Sequence, residues 1–206
     1  MAYLDYAETV QTQATPIVKL LDAVLYHQGD DATMAYRIKS GVVMAYQIYS
    51  GGTRQITGFF QQDDIIGLEV DGAYADTAVM LSDGRLQPIS RRQFMQDPHL
   101  QNELYANACE QLRSAQSLVL SLTRKCSDAK VAEFLLHLAR PRRCGKGRDL
   151  IVLPKCRQDI ADYLGVSSET VSRRLAAFKR QGIVEFPDRR SAHIIDFPAL
   201  EARAGH

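Results

Sequence analysis

Long hydrophobic runs are missing from this chain of 206 residues. Nowhere do about 20 consecutive apolar residues occur, so no membrane-spanning helix and no membrane partner are expected. Cysteine is scarce: Cys109, Cys126, Cys144 and Cys156 are scattered, and no two have C-x-x-C spacing. That excludes a disulfide framework and leaves no cysteine motif for zinc or an iron–sulfur cluster. The N-terminus carries Asp5 and Glu8 with no basic residue ahead of an apolar segment, so no secretory signal is expected and a reducing, cytoplasmic location follows. Net charge is almost absent too, with 25 Lys+Arg against 24 Asp+Glu. The balance hides an asymmetry. Residues 1–127 hold 10 basic and 14 acidic residues, whereas residues 128–206 hold 15 and 10. Within residues 139–190 the count is 13 against 6, a local excess that points to an anionic partner.

What is present is an apolar content of 46%, ordinary for a globular protein. Residues 1–20 read as weakly structured, with Ala14-Thr15-Pro16 breaking any helix. From Ala23 to about Phe94, short apolar runs alternate with turn residues. Strands are expected at 36–39, 42–49, 55–60, 73–81 and 85–89, with Ser50-Gly51-Gly52-Thr53 as a hairpin connection. Many short strands at this spacing suggest an all-β sandwich or roll.

At Asp97-Pro98 the period changes, with Asp97 as N-cap and Pro98 in the first helical turn. No Gly or Pro interrupts 99–123, where Leu104, Ala108, Leu112, Ala115, Leu118, Val119 and Leu122 recur at steps of three and four. This stripe fits either a core helix packed on its own β-domain or a coiled-coil-like dimer seam. The length and the small Ala108 and Ala115 favour the seam. A second helix is expected over 128–139, burying Val131, Ala132, Phe134, Leu135 and Leu138, then a basic loop at 141–148 and a short strand at 150–153.

The most informative stretch is Arg157 to Gln181. A short helix over 157–164 turns Ile160, Ala161 and Leu164 to one side; Gly165 supplies a tight interhelical turn and Ser167 an N-cap. The next helix buries Val171, Leu175 and Phe178, the spacing of a helix-turn-helix. Glu169, Ser172 and Arg173 share its exposed face. An arginine can donate bidentately to guanine, a glutamate can accept from cytosine, and a serine can bond either a base or a phosphate. Ser168, Thr170, Arg174, Lys179 and Arg180, with Arg157 on the first helix, are candidates for the DNA backbone. Strands at 182–186 and 192–197, joined by Pro187-Asp188-Arg189-Arg190, form a wing whose Arg189 and Arg190 would meet the backbone as well. Cys156 sits between Lys155 and Arg157 just ahead of the first helix, and flanking cations with a helix start are features that favour thiolate chemistry. It reads either as a structural cysteine or as a redox site whose oxidation adds negative charge near DNA.

The run from Cys156 through Arg173, CRQDIADYLGVSSETVSR, strongly resembles the winged helix of the CRP/FNR superfamily of transcription factors. The resemblance covers nearly the whole chain. Residues 26–30, 36–42, 51–56 and 64–69 are similar to that family's β-roll, and 122–125 with 131–136 to the end of its dimerisation helix and the helix that follows. Pro154-Lys155-Cys156-Arg157 is closest to the FixK branch. The resemblance implies an α+β architecture: an N-terminal antiparallel β-roll over 1–97, a dimerisation helix over 98–127 and a winged helix-turn-helix over 128–206. FNR and FixK relatives carry Glu-x-x-Ser-Arg on the recognition helix, matched here by Glu169, Ser172 and Arg173. It follows that a homodimer should bind double-stranded DNA at an FNR-like palindrome, TTGAT-N4-ATCAA, and contact RNA polymerase, as an activator in most such proteins.

The departures are equally informative. Cyclic-nucleotide-binding members grip the phosphate with Arg-Ser/Thr-Ala, where this chain has Asp76-Thr77-Ala78. A carboxylate there would repel a phosphodiester, so no cyclic nucleotide is expected. The N-terminal cysteine cluster of an FNR-type oxygen sensor is absent. His27 and His99 are isolated, so no metal or cofactor is expected, and no nucleophile–base pair points to an enzyme. An unidentified small molecule in the β-roll is the alternative means of control.

Overall fold

A computed structural model describes residues 16–69, 71–124, 126–139 and 149–205. The basic loop expected at 141–148 lies outside them.

Eight strands build the N-terminal roll: β1 (Ile17–Lys19), β2 (Val24–Tyr26), β3 (Met34–Ser40), β4 (Val42–Ile48), β5 (Arg54–Gln61), β6 (Ile65–Ile66), β7 (Thr77–Met80) and β8 (Gly84–Ser90). They form two antiparallel four-stranded sheets, ordered β1-β8-β3-β6 and β2-β7-β4-β5. The expected strand at 73–81 shortens to Thr77–Met80, and β1 organises part of a segment expected to be weakly structured. Where the β3–β4 turn meets β8, Gly84 is required by contact: a Cβ there would lie 2.3 Å from the Ser40 carbonyl oxygen.

Alternation along β4 explains how the halves of the molecule join. Val43 points into the roll with Tyr26, Ile38, Met80 and Leu86, while its neighbours Val42 and Met44 point out of it with Ile56 and Phe59. This outer face is not wet. It shares one continuous core with the C-terminal helices, through Phe134, Leu135, Ile160 and Leu164. Each fully buried side chain of this size contributes about 1.5–3 kcal/mol, so the contact between roll and helices is a substantial part of the stability.

After β8 comes α1 (Arg91–Gln96), capped by Ser90, whose hydroxyl accepts from the Gln93 N–H while the Gln93 side chain accepts from the Ser90 N–H. The long α2 (Pro98–Arg124) begins where expected, with Asp97 accepting from the N–H groups of His99 and Leu100. Next is α3 (Ser127–Ala139), which buries all five residues assigned to its inner face. Then follow β9 (Leu150–Val152), α4 (Arg157–Leu164), α5 (Ser168–Arg180), β10 (Val184–Glu185), β11 (Ser191–Ile194) and α6 (Phe197–Ala204). The wing is a three-stranded sheet, β10-β11-β9. Its last strand ends at Ile194 rather than Phe197, because Asp196 caps α6 by accepting from the Ala199 N–H, with Pro198 in the first turn.

Candidate DNA-binding interface

The turn between α4 and α5 takes the form its sequence requires. Gly165 has φ +60°, in the left-handed region where a side chain is strained, and its N–H bonds to the Ala161 carbonyl. Ser167 then caps α5, its hydroxyl accepting from the Thr170 N–H at 3.2 Å. Val171, Leu175 and Phe178 are buried, which fixes the rotation of α5 and presents Glu169, Ser172 and Arg173 to solvent. These three line an open groove of ≈ 800 Å³ together with Ser168 and with Cys156, Arg157 and Gln158 from the start of α4. Two helix N-termini therefore bound one concavity, an arrangement that favours anions. The Ser172 hydroxyl donates to the Ser168 carbonyl and the Arg173 guanidinium to the Thr170 hydroxyl, so both are poised on the surface.

The cationic residues fall into two groups. Arg173, Lys179, Arg180 and Arg189 are exposed. Arg174, expected at the phosphates, instead turns to α3, where it pairs with Asp128 at 3.5 Å and bonds the Ser127 hydroxyl. Arg190, expected at the wing tip, reaches Asp22 of the roll at 3.4 Å. Arg157 is half-buried, its guanidinium 5.8 Å from the Phe186 ring centroid, and burial lowers its pKa. One of its terminal nitrogens, Nη1, is buried with no hydrogen-bond partner. Cys156 is the exposed N-cap of α4, with no side-chain cap bond. Gln158 was not anticipated at the groove. Its place in the first turn of α4, one residue after Arg157, was the available signal.

Asp159 and Asp162 on α4 face the roll. The buried Asp159 carboxylate pairs with Arg54 of β5, and the Gln55 amide donates to the Asp162 carbonyl at 3.0 Å. Phe59 stacks edge-on against Tyr163, centroids 5.0 Å apart, and against Phe134. Burial raises the Asp159 pKa, an effect that Arg54 opposes.

On α2 the predicted stripe separates into two. Leu104 is 4% exposed and packs with Ala35, Ile65 and Ile89, so it belongs to the roll's contact with α2 rather than to an outer seam. Leu118 leans on the C-terminal core, and the half-buried Leu122 lies beside the Gly165 turn. Ala108, Leu112, Ala115 and Val119 remain on the outer face. Tyr105, absent from the predicted stripe, joins them: Tyr105, Leu112 and Val119 are 73%, 60% and 58% exposed. The spacing 105, 108, 112, 115, 119 steps by three and four, the coiled-coil period; Leu104 and Tyr105 belong to two different faces of α2, which the apolar period alone does not separate.

Inside the roll, Tyr26, Glu69, Asp76 and Gln111 line a cavity of ≈ 140 Å³. Burial raises the pKa of Asp76, whose carboxyl accepts from the Thr57 hydroxyl at 3.1 Å. Burial, then the Asp76 charge, raises that of Tyr26. Thr77 Oγ1 accepts from the Gln28 N–H. Among the described residues no group of three or more His, Cys, Asp or Glu could hold a metal ion, and no helix is long and apolar enough to cross a membrane.

A β-roll, a long helix and a capped helix-turn-helix with a wing define a DNA-binding regulator. Comparison with known proteins agrees. A cyclic nucleotide-binding domain matches residues 21–96 and a Crp-like helix-turn-helix domain residues 129–203. The nitrogen fixation regulation protein FixK of Azorhizobium caulinodans is 33% identical over 200 residues, spanning 94% of this chain and 81% of that protein. The transcriptional activator protein FnrA of Stutzerimonas stutzeri is 30% identical over 212 residues, spanning 100% and 86%. The structure of FixK2 from Bradyrhizobium japonicum is similar at a TM-score of 0.78 and 30% identity, covering 92% of this chain and 96% of that one. The chain belongs to the CRP/FNR family, and is a transcription regulator rather than an enzyme.

Proposed function

We propose that the protein is a homodimeric activator that reads an FNR-like palindrome, TTGAT-N4-ATCAA, through Glu169, Ser172 and Arg173. The observation that carries this reading is the placement of these three side chains on the exposed face of α5, in a groove bounded by two helix N-termini. In each half-site Arg173 donates to the guanine, Glu169 accepts from a cytosine, and Ser172 bonds a base edge or a phosphate. Ser168 and Thr170 at the start of α5, with Lys179, Arg180 and Arg189, contact the backbone. Arg174, Arg157 and Arg190 act at one remove, by holding α5, the start of α4 and the wing. The outer stripe of α2, from Tyr105 to Val119, forms the dimer seam and places two recognition helices about one helical turn, ~10–10.5 bp, apart. RNA polymerase is the further partner. Cyclic nucleotide does not control the protein, because Asp76 sets a carboxyl where a phosphodiester would lie.

Cys156 gives the site a redox response. It shares the groove with Glu169 and Arg173, so oxidation of its thiol by peroxide to a sulfinate places a negative charge against DNA. Fluorescence anisotropy with a palindromic duplex and a scrambled one tests the whole reading. Strong, salt-dependent preference for the palindrome is expected, lost after peroxide in the wild type and kept in Cys156→Ala. Equal affinity for both duplexes would overturn the assignment of the base-reading face, and equal peroxide loss in both proteins would overturn the role of Cys156.

A further inference from the structure

The roll ties α2 to α4 through side chains that belong neither to the outer stripe nor to the base-reading face. On the α2 side, the buried Asn107 accepts from the Ile65 N–H at 3.2 Å and donates to the Asp63 carbonyl at 3.3 Å, and Glu103 pairs with Arg37 of β3. On the α4 side, Arg54 at the start of β5 pairs with Asp159, and the Gln55 amide donates to the Asp162 carbonyl. Asp159 is only 5% exposed, and the Arg54 guanidinium also lies 5.2 Å from the Tyr46 ring centroid. Around this pair the contact is apolar, Phe59 against Phe134 and Tyr163. Apolar contact is non-directional and supplies adhesion without register. The ion pair is directional, and parting it strands a buried carboxylate. The pair of Arg190 with Asp22 at the wing leaves Asp22 largely in solvent, so it holds less firmly. Because α4 opens with Arg157 and Gln158, which line the DNA groove, whatever fixes Asp159 also fixes the groove.

We infer that Arg54 is a positioning residue for operator recognition, which sets the separation of the two recognition helices and thereby selects the spacer between half-sites. The inference rests on the homodimeric, palindrome-reading function proposed above. In that dimer the seam fixes α2, α2 is fixed to the roll, and Arg54 carries the register from the roll to α4 and so to α5. One base pair more or less in the spacer moves a half-site about 3.4 Å along the duplex and turns it by roughly 35°. A firmly held pair of reading helices rejects that change, whereas loosely tethered ones follow the half-site and accept it. Arg54 touches no DNA in this account. It acts through Asp159, so its signature is a change in spacer preference rather than in base preference.

Fluorescence anisotropy of the full chain with TTGAT and ATCAA separated by three, four or five base pairs tests this. The wild type should bind the four-pair duplex about tenfold or more tighter than the other two. Arg54→Gln with Asp159→Asn removes both charges and strands neither, and Arg54→Met with Asp159→Leu replaces the pair by packing. Each double variant should melt as a folded protein and show a spacer preference of about threefold or less. Arg54→Lys keeps the charge and should keep the wild-type preference. A wild-type spacer preference in the folded double variants, or an equal loss of affinity for all three duplexes, would overturn the inference. So would a wild type that prefers the palindrome to a scrambled duplex yet binds all three spacers alike. Equal wild-type binding of palindrome and scrambled duplex would instead remove the operator reading itself, and this inference with it.

Discussion

In the roll, Asp76 is held against Tyr26 and Thr57 in a small cavity, and burial raises the pKa values of both Asp76 and Tyr26. On the winged helix, Arg173 lines an open groove, and Lys179 and Arg180 stand in solvent at the far end of α5. Both regions are polar, yet their side chains do different work. The roll's acid is satisfied internally and carries its cost in the folded state. Arg173, Lys179 and Arg180, unlike Arg174, are exposed and form no ion pair among the described residues, which is what a partner carrying many phosphates needs. Net charge by region anticipates this division, whereas the total of +1 conceals it.

The comparison can be broken at several points. The largest effect should come from Leu112→Glu, which sets like charges against each other in the proposed seam. Sedimentation should then report a monomer, and operator affinity should fall about a hundredfold or more, since both half-sites must be engaged together. Arg173→Ala should cost roughly 1–3 kcal/mol of operator binding and relax the preference at one base pair, whereas Arg180→Ala should weaken all sequences alike and lower the salt slope by about 1. Anisotropy at several salt concentrations on specific and scrambled duplexes separates the two. Arg174→Ala should behave differently from its neighbour, changing stability by up to about 1 kcal/mol through loss of the Asp128 pair and leaving base preference intact. Urea unfolding beside the anisotropy assay checks it.

The smallest expected effect lies in the roll. Because the folded-state pKa of Asp76 is raised above its ordinary value of 3.8, the folded chain holds this proton longer than the unfolded one. Stability from this group therefore falls as pH rises from the ordinary value through the raised one, then levels. Asp76→Asn should remove that fall, so the variant gains stability relative to the wild type as pH rises from acidic to neutral, measured by urea unfolding of both. A variant that instead loses stability relative to the wild type over that range would show the carboxylate to be stabilising.

Where local rules decide structure, the residues announce it. Gly165, Ser167 and the spacing of Val171, Leu175 and Phe178 specify the helix-turn-helix almost completely. Short elements were harder to read. The signal for α1 was present in Ser90-Arg91-Arg92-Gln93, a capping box, but it follows β8 without a break. The start of α6 at Asp196-Phe197-Pro198 was hidden by the apolar run before it. β1 and β2 are three residues each and exist through long-range pairing, which no window of sequence contains. The site shows the same limit. Arg173 and Arg174 are adjacent and chemically identical, and only the packing of α5 on α3 tells that one faces the groove and the other Asp128. On α2, likewise, the roll decides that Leu104 is inside and Tyr105 outside.

The most direct test of the base-reading face is a double-mutant cycle between protein and DNA. Wild type and Arg173→Ala are each titrated against the TTGAT-N4-ATCAA duplex and against the same duplex with the guanine·cytosine pair of each half-site changed to adenine·thymine. The account predicts that the base change costs the wild type about 1–3 kcal/mol per pair and Arg173→Ala far less, a clear coupling between side chain and base. Additive losses, with the variant as sensitive to the base change as the wild type, would contradict it.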